Sequence, residues 1–298
     1  MTKIGQLLTA MVTPFAEDGA VDYGQAQKLA LALIASGSDG VLVSGSTGEH
    51  STLTHEESKM LFQKVKEAVG TKGTVIAGSG SNNTAEGVAL TQAAEKVGVD
   101  ACLLVVPYYN KPTQEGLYQH FKAIADSTKL PCILYNVPSR TVTNMTAETV
   151  IRLSKVANII GIKEASGNME QISLIIGGVS RKDFMVWSGN DGDTLPVLAL
   201  GGCGVVSVAS HLVGKQIKQM IDSFAAGKID QARAIHHRLL PLVKAMFVVT
   251  NPIPVKYAVN AVGFRVGKPR MPLMEPDEKS AAFIRDILKK HTIDLPVS

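Results

Sequence analysis

The chain has 298 residues, 45% of them hydrophobic and 19% charged, with 27 glycines and 13 prolines; this apolar content excludes a disordered or collagen-like chain. Its 30 Lys and Arg against 26 Asp and Glu leave a net charge of +4, with the densest basic point at Lys289-Lys290, so nucleic acid is not expected as the main partner. The length permits two ordinary domains or one α/β barrel of about 250 residues, and the pattern must decide.

Residues 1–6 show no charged stretch leading into a long apolar one, so no export signal is expected and the expected location is the cytoplasm. Short apolar, β-rich runs then follow at 7–12, 40–44, 74–78, 101–106, 132–136, 159–163, 185–188 and 204–208, with an amphipathic helical stretch after nearly every one. None approaches the roughly 20 apolar residues needed to span a bilayer, and no membrane partner is expected. Most runs are apolar on both faces, as in a parallel sheet covered by helices on each side. Eight such units in succession predict an α/β protein of (β/α)8 TIM-barrel type.

Helix starts are marked by Thr54-His55-Glu56-Glu57 and by Thr146-Ala147-Glu148-Thr149. Beyond the eighth strand and its helix, helical stretches at 230–249, 254–262 and 276–290 exceed what a barrel needs. The expected division is a barrel over 1–226 carrying the active site and a C-terminal helical extension over 227–298. Cys102, Cys132 and Cys203 are widely spaced among apolar or glycine neighbours and are expected as reduced core thiols.

In such a barrel, side chains at the C-terminal ends of the strands converge on one mouth, and here those positions are polar: Thr13, Ser46, Thr47, Tyr108, Tyr109, Tyr135, Asn136, Lys163, Glu164 and Ser188 to Asp191. Lys163 closes an apolar run. If it points inward, desolvation favours its neutral amine, a nucleophile able to form an imine with a carbonyl carbon. The competing reading leaves its head in water or paired with Glu164. Tyr135, one strand earlier, is suited to shuttle protons if a chain of hydroxyls such as Ser46 and Thr47 assists it, and otherwise serves as a core aromatic. The turn Gly45-Ser46-Thr47-Gly48-Glu49 offers backbone N–H groups and hydroxyls to a small carboxylate, or is merely a loop. Arg140 is placed either to clamp a second carboxylate in two-pronged fashion or to pair on the surface.

The run Gly201-Gly202-Cys203-Gly204 reads as close backbone packing rather than a phosphate site. His236 and His237 are neighbours on a helical stretch and are expected to diverge. No cluster has metal-ligand spacing, so no metal is expected; the sequence has no Walker-type loop or dinucleotide fingerprint, and no cofactor is expected.

Taken together, Gly45-Ser46-Thr47-Gly48-Glu49, Pro107-Tyr108-Tyr109-Asn110-Lys111-Pro112, Tyr135-Asn136-Val137-Pro138-Ser139-Arg140-Thr141 and Gly161-Ile162-Lys163-Glu164 resemble the dihydrodipicolinate synthase family of the pyruvate-dependent, lysine-imine aldolase superfamily. The resemblance spans nearly the whole chain. It implies a lyase that condenses pyruvate with aspartate semialdehyde in diaminopimelate and lysine biosynthesis. In that scheme Lys163 forms the imine, Tyr135 relays protons, and Thr47 links Tyr135 to Tyr109, which in the family comes from a neighbouring subunit of a homotetramer built as a dimer of dimers. Ser46 and Thr47 would hold the pyruvate carboxylate, Arg140 the carboxylate of the second substrate, and Gly189 and Val206 would line the pocket with backbone carbonyls.

The family usually has threonine where this chain has Ser46, and serine there is common in sialic-acid lyases. An aldolase acting on a 2-keto-3-deoxy sugar acid, or an N-acetylneuraminate lyase, is therefore the alternative within enzymes. A keto-acid sensor without catalysis is the alternative outside them. Pro138-Ser139-Arg140 favours the synthase. The resemblance also implies an interface site for inhibitory lysine formed by His50, Ser51, His55, Ser58, Asn82, Glu86 and Tyr108. Ser58 and His50 depart from its usual pattern and leave sensitivity to lysine open.

Overall fold

The computed structural model describes residues 4–296. Its strands are β1 (Leu7–Ala10), β2 (Gly40–Val43), β3 (Thr74–Gly78), β4 (Ala101–Val105), β5 (Cys132–Asn136), β6 (Ile159–Glu164), β7 (Met185–Ser188) and β8 (Gly204–Ser207). They follow one another in sequence order around a closed barrel, the (β/α)8 architecture expected from the alternating runs. Nearly every strand residue is buried, which explains why the runs are apolar on both faces rather than alternating.

Several strand ends differ from the apolar runs by a residue or two, and the hydrogen bonds show why. After β1, Met11 N still reaches Leu42 O at 3.0 Å, but Val12 N turns to His211 Nε2 at 3.1 Å and the chain leaves the ladder. On β6 the pairing runs one residue beyond Lys163, because Glu164 is in register with both Asn136 and Ser188. Gly161 is required where β6 passes β7: a Cβ there would lie 2.3 Å from Met185 O and 2.8 Å from the Trp187 ring.

Helix ends follow their capping chemistry. Thr54 and Glu57 form a reciprocal capping box on helix His55–Val69, with Thr54 N donating to Glu57 Oε2 at 2.8 Å and Glu57 N to Thr54 Oγ1 at 3.1 Å. Thr146 caps helix Ala147–Leu153. The C-terminal helices run Ile229–Ala245, Ile253–Ala261 and Glu278–Leu288; the first is shorter than its apolar stretch because the chain breaks into turns ahead of Asn251 and Pro252. Among the described residues, no helix is long and apolar enough to cross a membrane.

By packing, the chain divides into two compact units, Ile76–Val206 and residues 4–75 with 207–296. The second unit contains a buried ion pair. Lys256 Nζ lies 2.8 Å from Glu49 Oε1, with both side chains almost wholly shielded from water. The ammonium also donates to Lys268 O at 2.9 Å and sits over the Phe15 ring, 4.1 Å from its centroid. Glu49 Oε2 accepts from Arg270 N at 2.8 Å. Burial pushes the Lys256 pKa down to about 8, against the opposing pull of Glu49. Removing one member of such a pair strands the other, which costs about 3–5 kcal/mol. Lys256→Met is therefore expected to lower the calorimetric melting temperature by roughly 5 to 15 °C; an unchanged melting temperature would show that the pair does not hold this unit together.

Candidate active site

Two adjacent strands bring two of the candidate side chains together. Tyr135 on β5 and Lys163 on β6 are register partners, so their side chains leave the sheet on the same face. Lys163 Nζ stands 4.2 Å from the centroid of the Tyr135 ring, and the two residues are only 5% and 6% exposed. Burial drives the lysine pKa down from 10.5 to about 7; the Asp191 carboxylate opposes this fall and the Arg140 guanidinium adds to it. A large share of neutral amine at neutral pH follows directly from this placement.

Gly189, just after β7, lies against the lysine stem: a Cβ there would be 3.2 Å from Lys163 Cε and 2.6 Å from Ala165 Cβ. Its N–H donates to Glu164 O at 2.7 Å. Arg140 sits on the short helix Pro138–Thr141, begun by a proline whose fixed φ suits a first helical position, and its residue is exposed. Val206 is buried near the end of β8.

Glu164 does not pair with Lys163. Consecutive strand residues face opposite ways, and the Glu164 carboxylate is instead held by Asn136 Nδ2 at 3.1 Å to each oxygen, by Ser166 N at 2.8 Å and by Gln171 Nε2 at 3.4 Å. Asn136 Nδ2 also donates to Asn144 Oδ1 at 2.8 Å, and its Oδ1 accepts from Met145 N at 3.0 Å. Burial raises the Glu164 pKa, while these hydrogen bonds counter it. This network braces β5 against β6 behind Tyr135 and Lys163. Its only mark in the sequence is the polar pair at each strand end.

The turn after β2 belongs to the other compact unit. Thr47 is buried and its Oγ1 accepts from Asn251 Nδ2 at 2.9 Å. Thr13 Oγ1 donates to Gly48 O at 2.6 Å. Ser46 is half-buried. Glu49 adopts a left-handed φ of 58°, a strained conformation for a residue with a side chain, held by the ion pair to Lys256. No local sequence pattern marks Asn251, and in the sequence Asp191 reads only as a polar strand end.

Tyr109 also has a positive φ, 74°, and is 90% exposed. Of the residues read as a lysine site, Asn82 and Tyr108 meet, with Asn82 Nδ2 donating to Tyr108 O at 3.1 Å, and Glu86 accepts from Ser81 Oγ at 2.9 Å. In the other unit, Ser44 Oγ contacts both His50 Nδ1 and Ser58 Oγ at 3.1 Å, while Ser51 and His55 are exposed.

The three cysteines are free, and burial pushes Cys102 and Cys203 up to about 12 and Cys132 well above its ordinary value, so their thiols stay protonated. The His236 and His237 rings do not diverge as expected but meet edge-on with centroids 5.5 Å apart. Among the described residues, no group of three or more His, Cys, Asp or Glu is placed to hold a metal ion.

The profile of the Dihydrodipicolinate synthetase family matches residues 3–291. A 4-hydroxy-tetrahydrodipicolinate synthase of Dehalococcoides mccartyi is 65% identical over 297 residues, covering all of both chains. The crystal structure of a Bacillus anthracis dihydrodipicolinate synthase superposes with a TM-score of 0.95 at 45% identity, over 97% of this chain and 99% of that one. A Cyanidioschyzon merolae enzyme of the same name, solved with lysine bound, gives a TM-score of 0.95 at 48% identity, over 96% and 98%. With a buried low-pKa lysine beside a tyrosine on neighbouring barrel strands, and relatives matched end to end, this chain belongs to the dihydrodipicolinate synthetase family.

Proposed function

We propose that this chain is a lyase that condenses pyruvate with L-aspartate 4-semialdehyde through an imine on Lys163, giving 4-hydroxy-tetrahydrodipicolinate for the diaminopimelate route to lysine. The observation that carries this reading is the Lys163 amine, shielded from water, with its pKa brought to about 7, and stacked on the Tyr135 ring. The names of full-length relatives support it.

The neutral amine adds to the pyruvate carbonyl carbon, and the carbinolamine loses water as a proton reaches the departing hydroxyl. The resulting iminium draws electrons from the neighbouring methyl carbon, which gives up a proton to become an enamine. The enamine carbon attacks the aldehyde, forming the new carbon–carbon bond and leaving a hydroxyl. The amino group of the second substrate then adds to the iminium carbon and displaces Lys163, closing the ring and freeing the enzyme. Each stage moves a proton. We assign that movement to Tyr135 with Thr47 and Tyr109, the pyruvate carboxylate to Ser46 and Thr47, and the pocket lining to Gly189 and Val206.

Arg140 is assigned to the carboxylate of aspartate semialdehyde. Residues 1–226 would then carry the site, with 227–298 as the helical extension, in a cytoplasmic enzyme. A large aromatic side chain that is 90% exposed on a left-handed backbone favours burial against another copy. We accordingly place Tyr109 in the relay of a neighbouring subunit, within a homotetramer arranged as a dimer of dimers. His50, Ser51, His55, Ser58, Asn82, Glu86 and Tyr108 are kept as the group assigned to lysine, consistent with the lysine carried by the Cyanidioschyzon merolae enzyme.

Borohydride reduction in the presence of pyruvate is expected to leave a stable adduct on Lys163, located by peptide mass spectrometry; an adduct elsewhere, or none, removes the imine route. Because only the neutral amine attacks, kcat/KM for pyruvate should rise between about pH 6 and about pH 8. The Asp191 charge favours the ammonium, so Asp191→Asn should move this limb to lower pH, and a limb that stays put or moves upward would contradict the assignment. Arg140→Ala is expected to lower kcat/KM for aspartate semialdehyde about 10- to 100-fold while preserving trapping of pyruvate. It should also shift the acid limb upward, since the guanidinium opposes protonation of Lys163. Equal loss with both substrates would deny Arg140 its role.

A further inference from the structure

The C-terminal segment grips the turn that follows β2 at two places within one compact unit. Asn251, just ahead of helix Ile253–Ala261, donates from Nδ2 to Thr47 Oγ1 at 2.9 Å. Within that helix, Lys256 holds Glu49, and Arg270 N secures the other carboxylate oxygen of Glu49 at 2.8 Å. Thr47 and Asn251 are both buried, at 4% and 6% exposure, so water does not readily substitute for the amide. The ion pair fixes where the turn lies. The amide does something different, because it acts on a hydroxyl whose direction matters.

A threonine hydroxyl carries one hydrogen and two acceptor positions. When an amide N–H occupies one acceptor position, the hydroxyl hydrogen is excluded from that direction and one acceptor position remains. Thr47 is then left with one hydrogen to give and one site to receive, the pattern that a link in a proton relay must have. We propose that Asn251 is a positioning residue for the reaction, orienting the Thr47 hydroxyl by donating to it from a segment outside the β/α units. This rests on the reading of Thr47 as a proton-relay residue. An amide turned the other way, presenting Oδ1, would draw the Thr47 hydrogen to itself and stop the relay.

Asparagine, aspartate and alanine separate these possibilities. Asn251→Asp keeps the size and, as a carboxylate, offers only acceptors, so it captures the Thr47 hydrogen. Asn251→Ala merely removes the donor. The expected result is a fall in kcat of about 100-fold for Asn251→Asp and about 10-fold for Asn251→Ala, with KM for pyruvate changed by less than about threefold. A packing role predicts falls that do not depend on the Thr47 hydroxyl, since it acts through the space filled and not through a hydrogen bond.

Thr47→Val supplies the control. In that background, the Asn251 substitutions should alter kcat by less than about twofold, because no hydroxyl is left to orient. Equal falls with and without the Thr47 hydroxyl, or Asn251→Asp as active as Asn251→Ala or more so, would overturn the proposal. Thr47→Val with undiminished kcat would instead remove the relay reading itself, and this inference with it. Thermal melting checks that each variant folds. Should the buried aspartate prevent folding, Asn251→Leu, apolar and similar in size, should show the 10-fold fall with Thr47 present and none in Thr47→Val; a fall in both backgrounds would count against the proposal.

Discussion

The site depends on taking one ammonium group out of water. A shift from 10.5 to about 7 at Lys163 corresponds to about 5 kcal/mol favouring the neutral amine. Burial supplies that preference, and the two neighbouring charges trim it in opposite senses, Asp191 restoring some affinity for the proton and Arg140 reducing it. Folding bears the consequence. Below about pH 7 the amine is protonated in folded and unfolded chains alike, so the full desolvation cost opposes folding. As pH rises toward the 10.5 of an unperturbed lysine the cost fades, because the unfolded chain also loses its proton. The barrel tolerates this because its strands are buried and mutually braced, and β6 carries its own support in the Glu164 cluster with Asn136, Ser166 and Gln171.

Two kinds of polar burial thus serve two purposes. Glu164 is surrounded by neutral donors that fix its strand relative to β5, while Glu49 is neutralised outright by Lys256 and fixes a strained turn. Neither carboxylate needs to touch a substrate to matter. Each sets the geometry of a neighbouring residue: Lys163 precedes Glu164 by one position, and Thr47 precedes Glu49 by two. Strained and buried polar positions of this kind persist where the surrounding structure over-determines them.

Much of this was legible in the sequence. Strands buried on both faces must be apolar throughout, so their runs stood out, and a lysine closing the run of β6 was conspicuous for the same reason. Tyr135 could be read beside it because it lies near the end of the neighbouring strand, where it is the register partner of Lys163. What could not be read depends on contacts remote in sequence. Asn251 meets Thr47 across 204 positions and Lys256 meets Glu49 across 207, and neither lies in a motif. The Glu164 cluster was hidden for a different reason: a charged pair, Lys163-Glu164, suggested an ion pair to the eye, whereas the period-two geometry of a strand separates the two side chains.

The most direct test of the central claim is a titration of the Lys163 side chain itself in the enzyme without substrate, followed by the chemical shift of its isotopically labelled ε-carbon and assigned by loss of the signal in Lys163→Met. A midpoint close to pH 7 is the outcome this structure requires. A midpoint near 10, that of a lysine in open water, would contradict it and leave the amine without the nucleophilic form on which the chemistry rests.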